Sequence, residues 1–259
     1  IIETPSARYD AEGNAVIEII TRNGALNGNE GSIGLRGMFR TEAQMAYWGN
    51  FSFRKDWFSL YASIGQYTGT LHEDEDYYRE VYTGTPTTMD NVVDREINHN
   101  FDTWYDLNMD FRIDSSATLF LNYIGARLQS KPFVRNSNLI YENESYIGSL
   151  ISESRGLTTQ YTHSAATGFS KELDTLGSEF RFTGQYTSYN SSTSNEIFQT
   201  SNFGSPILQS FNNQSFNGIK VLSAQTEWSH NFSSDNNIST GVKFSSVSNQ
   251  SGVNFKNQS

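Results

Sequence analysis

The chain has 259 residues, 28 acidic against 18 basic side chains for a formal net charge of -10, no cysteine, and a mean hydropathy of -0.55. No stretch approaches the roughly 20 apolar residues of a membrane helix, which excludes a helical membrane bundle, and without a basic stripe the acidic balance argues against nucleic acid as a partner. A membrane β-barrel escapes the hydropathy test, because only alternate strand residues face lipid while their neighbours face water.

Aromatics at 14%, frequent glycine and only four prolines make the composition β-rich. The absence of cysteine fits an envelope protein that does not rely on disulfides. The first element is a turn-rich stretch over residues 1–24, ending in an apolar strand, Val16–Ile20, closed by Asn23-Gly24. From about residue 30 the chain reads as nine strands, near 30–41, 43–55, 57–69, 99–113, 117–130, 157–171, 177–190, 218–232 and 237–248. Alternation is clearest in the fourth, where Thr103, Tyr105, Leu107, Met109, Phe111 and Ile113 share one face and Asp102, Trp104, Asp106, Asn108, Asp110 and Arg112 the other. The same period places Met45, Tyr47, Phe51 and Phe53 opposite Trp48, Asn50, Ser52 and Arg54, and Leu119, Leu121 and Tyr123 opposite Thr118, Phe120 and Asn122. A soluble sandwich would show this period too, with its polar side in bulk water.

The connections discriminate between the two. Tight polar turns fall at Lys55-Asp56, Asp114-Ser115, Asp174-Thr175 and Ser234-Asp235, so that successive turn aspartates lie 58, 60 and 61 residues apart. Between them the sequence predicts long loops over about 70–98, 131–156 and 191–217. A compact soluble domain seldom holds one structureless loop of that length. Outer-membrane barrels alternate short periplasmic turns with long extracellular loops by rule. The expected fold is therefore all-β, a transmembrane antiparallel β-barrel in the bacterial outer membrane, in contact with its lipids. The Asp-bearing turns should be periplasmic and the long loops extracellular.

Candidate chemistry lies in those loops. His72, Glu73, Asp74 and Asp76 cluster carboxylates with an imidazole and could take a divalent cation or ferric ligand; without calcium-loop spacing, the plainer reading is a solvated acidic loop. Tyr77, Tyr78, Tyr82, Tyr141 and Tyr146, with Phe198, Phe203, Phe211 and Phe216, could stack an extracellular nutrient ligand, or could pack loop on loop. Lumen charges, among them Arg54, Asp106, Asp110, Arg112, Glu179, Arg181 and Glu227, could hold an internal plug or line a wet channel. The four histidines are scattered without zinc-site spacing and no Gly-x-Ser-x-Gly elbow occurs, so the sequence predicts neither enzyme nor cofactor.

Pro5-Ser6-Ala7-Arg8-Tyr9-Asp10-Ala11-Glu12-Gly13-Asn14-Ala15, followed by a β-branched strand ending Ile19-Ile20-Thr21-Arg22, resembles the end of the plug domain in TonB-dependent outer-membrane receptors of the Bacteroidetes type. The resemblance implies that 1–28 is the C-terminal end of a plug and 29–259 the N-terminal part of the barrel, with about nine of 22 strands present. It makes Tyr9, Gly13 and Val16 structural positions of the plug strand. Ala15-Val16 stands where many members carry a pair of small residues. It further implies import of a scarce nutrient (a siderophore-type chelate, cofactor, glycan or peptide) powered by the TonB energy-coupling complex through an upstream region, with a lipoprotein as a further partner. The rival expectation is a non-transporting barrel that acts as a structural or assembly component of an envelope complex.

Overall fold

Nine strands hydrogen-bond in chain order into one antiparallel sheet. The computed structural model describes residues 27–39, 42–202, 207–233 and 236–258. The plug-like stretch with Tyr9, Gly13 and Val16, the Ser234-Asp235 turn and Phe203 lie outside the described residues. The strands are β1 (Gly28–Phe39), β2 (Ala43–Lys55), β3 (Phe58–Thr83), β4 (Thr85–Arg112), β5 (Ala117–Glu142), β6 (Ser145–Glu172), β7 (Glu179–Ser201), β8 (Ile207–Asn231) and β9 (Asn237–Gln258). Each pairs only with its chain neighbours, and β1 and β9 form the two edges among the described residues.

The strand count and the tight-turn ends follow the hydropathy pattern; the other ends do not. Where long loops were expected, the backbone stays paired. β3 and β4 remain in register out to Thr83↔Thr85 around Gly84, so 70–98 is a β-ribbon and not a loop. β5 and β6 run to Glu142↔Ser145, and β7 and β8 to Ser201↔Ile207. The strands are thus 22–28 residues long from β3 onward, against the 9–11 that span a bilayer. The correction has a simple cause. A ribbon with water on both faces needs no apolar alternation, so its sequence carries no period-2 signal.

Two of the short ends are closed by side-chain caps. Asp114 Oδ1 accepts the Ser116 backbone N–H at 2.7 Å and its hydroxyl at 2.8 Å. Asp174 Oδ1 accepts the N–H groups of Leu176 (2.9 Å) and Ser178 (3.0 Å). Asp and Ser are turn formers for this reason: a short acceptor satisfies the donors that the reversing chain leaves unpaired.

Register fixes the two faces. Cross-strand partners place Leu60, Met109, Leu121, Thr167, Gly184, Ala224 and Phe244 in one row, and Ala62, Leu107, Tyr123, Ala165, Tyr186 and Leu222 in the next. The opposite face carries Ser63, Asp106, Asn108, Asn122, Gln185 and Gln225 at the same levels. Among the described residues Ala117 is the one buried hydrophobic residue, and Ile64, Leu222, Val242 and Phe244 are 57%, 49%, 73% and 57% exposed. Among the described residues no second layer covers the apolar face.

Candidate functional site

The apolar face is a band with defined edges. Its lower row is Lys171–Phe180–Trp228–Thr240. Near it lie Phe53, Trp57, Phe58 and Phe111, with ring centroids 6.1 Å apart for Phe53–Phe58 and 4.9 Å for Phe58–Phe111. At the upper edge Tyr105 and Tyr123 stack at 5.7 Å across β4 and β5. Tyr123 Oη lies 2.8 Å from His163 Nδ1, and Tyr105 Oη 3.4 Å from the same atom. With about 3.4 Å per residue and a tilt near 40°, the eight residues of β7 between these edges span roughly 20 Å. Aromatic rings at both edges, with polar tips at the upper one, have the amphipathic form that suits a boundary between hydrocarbon and water.

The polar face holds the lumen charges expected from the sequence. Arg54, Asp106, Asp110, Arg112, Glu179, Arg181 and Glu227 all lie on it. Four of them have local partners: Arg181 Nε donates to Glu179 Oε1 at 2.6 Å, Ser59 Oγ to Asp110 Oδ2 at 3.0 Å, and Asn108 Nδ2 to Asp106 Oδ1 at 2.7 Å.

The candidate residues of the long connections sit on the far ribbons. Tyr77, Tyr78 and Tyr82 are on β3, 55%, 64% and 74% exposed. Each donates its phenol to a carboxylate two residues away: Tyr77 to Glu75 at 2.6 Å, Tyr78 to Glu80 at 2.7 Å, and Tyr82 to Glu80. The hydrogen-bonded carboxylates push all three phenols above their ordinary titration range, Glu75 for Tyr77 and Glu80 for the other two, while the Tyr82 and Tyr78 hydroxyls hold Glu80 below the usual carboxylate range. Tyr141 and Tyr146 meet edge-to-face at 5.9 Å across the β5–β6 turn. Hydrogen bonds from Ser149 and then Asn202 lower the Tyr146 phenol.

The acidic run is divided by the pleat. His72 and Asp74 point to one face, where His72 Nε2 lies 3.7 Å from Asp74 Oδ1 and 3.3 Å from Asp94 Oδ1. Glu73 points to the other face and takes Arg95 Nη1 at 2.8 Å. Asp76 stands one position farther along, opposite Val92. The group with metal-like spacing is His72, Asp74 and Asp94. Sequence reasoning missed Asp94, which becomes visible once the ribbon is centred on Gly84. Asp74 and Asp94 face each other directly across the ribbon, with the His72 imidazole beside both.

A model of the outer membrane protein beta-barrel family matches residues 171–259, a stretch that contains β7, β8 and β9. No curated protein matches the chain. Among solved structures, the CymD monoaromatic hydrocarbon channel aligns over 88% of this chain and 76% of its own, at 10% identity and a TM-score of 0.25. A likeness that slight carries no argument.

Proposed function

We propose that the chain forms part of the wall of an outer-membrane β-barrel through which solutes pass. One observation carries this reading: an uncovered, largely apolar face crosses the described sheet at the height of a bilayer, backed by a polar, charge-bearing face. The family match over 171–259 supports it. The apolar face then meets lipid, the polar face the lumen, and the long ribbons stand above the membrane on the extracellular side with the Asp-capped turns in the periplasm.

The finer reading is a TonB-dependent importer of a scarce nutrient, and it rests on the plug-like residues 1–24. On it, residues 1–28 close a plug and the paired lumen charges face that plug. The tyrosines of the ribbons, Tyr77, Tyr78, Tyr82, Tyr141 and Tyr146, are the stacking surface for the ligand. Deletion of the gene should abolish growth on one limiting nutrient, with rescue by the full-length protein only in cells with working TonB. Normal uptake together with defective envelope assembly would contradict import and favour the assembly component.

A further inference from the structure

Two depressions lie one above the other on the apolar side of the sheet, in the same strands. The lower, about 550 Å³, is apolar. Its floor is small, Ala165, Gly184 and Ala224, and its walls include Leu121, Phe182 and Leu222. The upper, about 310 Å³, has Tyr161 and Phe216 as aromatic walls, Gly218 at its floor, and the amides of Asn190 and Gln250. One cross-strand row separates them, His163–Ser188–Lys220–Ser248. Lys220 therefore stands between an apolar groove and a polar, aromatic one. Arg127, in register with Tyr161, adds a second cation at the upper level.

We infer that this column is a binding site for one phosphorylated glycolipid of the surrounding leaflet. The inference rests on the reading of this face as the membrane side. The groove over Gly184 takes an acyl chain, because small side chains leave a trough in an otherwise bulky band. The upper depression takes the sugar headgroup, whose C–H faces stack on Tyr161 and Phe216 while its hydroxyls reach Asn190 and Gln250. Lys220 takes the phosphate at the boundary between chain and headgroup, where a lysine can keep its stem in hydrocarbon and its ammonium in water. Charge complementarity and the vertical order, apolar below polar with a cation between, select this occupant over a plain hydrocarbon surface.

The test is native mass spectrometry of the full-length barrel in detergent. The probes are a phosphorylated disaccharide lipid (lipid A), its dephosphorylated form, and phosphatidylglycerol. The phosphorylated disaccharide lipid should bind in one copy and outcompete the other two. Lys220→Gln should weaken it about fivefold, the worth of one basic side chain near a membrane surface, without changing the dephosphorylated lipid. Gly184→Leu should weaken all acyl binding at the site. A β-carbon at Gly184 meets only ordinary contacts, the nearest being Phe182 Cζ at 3.5 Å, so a side chain can leave the backbone there without moving it. Equal binding of the three lipids, or binding indifferent to Lys220→Gln, overturns the inference. So does occupation of the face by a second copy of the protein, seen as a dimer mass. A protein that inserts and folds but shows no preference refutes only this site; a protein that never inserts refutes the membrane reading beneath it.

Discussion

Aromatic rings on the polar face sit where the opposite strand has no side chain. Trp104 lies across from Gly65 and Phe120 across from Gly168. A β-carbon on Gly65 would come within 2.4 Å of the Trp104 indole, and one on Gly168 within 2.1 Å of the Phe120 ring. The rings cover bare backbone, which protects ladder hydrogen bonds and fixes register. Gly65→Ala should therefore displace Trp104 and cost about 1–3 kcal/mol, the range for overpacking; a shifted tryptophan emission with a lowered unfolding midpoint checks it. The turn aspartates make a second prediction. Hydrogen bonds from the Ser178 hydroxyl and backbone hold Asp174 below its ordinary value of 3.8. A depressed carboxylate stabilises the fold above that value and loses its effect as pH falls through the folded one. Asp174→Ala should thus lower the thermal midpoint at neutral pH, and the gap from wild type should narrow below about pH 3.8. An equal gap at both pH values would rule out the charged cap. The alternation of both faces was legible in the residues themselves. It also put Trp104 and Phe120 on the polar face; that each ring covers a glycine was not legible, because the glycine lies 39 or 48 positions away in sequence.

The β5–β6 ribbon shows how the long strands turn. Asn143 and Glu144 both have positive φ, 47° and 63°, as a two-residue type I′ turn requires. Asparagine tolerates that region; glutamate does not, and the left-handed conformation costs it roughly 1–2 kcal/mol. Glu144→Gly should relieve most of this, offset in part by glycine's larger entropy in the unfolded chain, for a net gain of up to about 1 kcal/mol. Slower amide exchange in the paired residues near the turn is the measurement; unchanged or faster exchange would contradict it. A second irregularity stands in β4, where Phe101 has φ 54° and the register shifts between His99 and Thr103. His99 Nδ1 and Asp102 Oδ2 lie 2.7 Å apart beside this bulge, and the Gln129 N–H donates to Asp102 Oδ1 at 2.7 Å. The bulge marks the level at which the strand leaves the band and becomes ribbon, and it shifts the parity of β4 so that Asp94, opposite Asp74, falls on the same face as His72. Asp94 was missed because 70–98 was read as a loop, where no pairing brings it to His72. It also yields a prediction at this scale: the amides of 70–98 should exchange slowly, as paired ribbon, where a loop would exchange within seconds.

Across the whole molecule the apolar rows define a wall, and its two edges are unpaired among the described residues. β9 is exposed on both faces and offers a ladder of 22 residues. Unsatisfied backbone groups of that length cannot stand in hydrocarbon, so in a membrane each edge needs a pairing partner. The wall's height, its aromatic edges and its polar back were each foreshadowed by period-2 alternation, because a strand with lipid on one side and water on the other writes its environment into every second residue. Nothing comparable marks the ribbons or the two depressions on the apolar face. These depend on which strands become neighbours, and in what register. The central claim is that the apolar face meets hydrocarbon, and the native absence of cysteine makes it directly measurable. Single cysteines placed in turn at positions 118 to 123 of the full-length protein, labelled with a fluorophore in lipid vesicles, can be challenged with a lipid-dissolved and a water-soluble quencher. The account predicts strict alternation, with labels replacing Leu119, Leu121 and Tyr123 quenched from the lipid and those replacing Thr118, Phe120 and Asn122 quenched from water. Uniform quenching by the water-soluble agent at all six positions would contradict it.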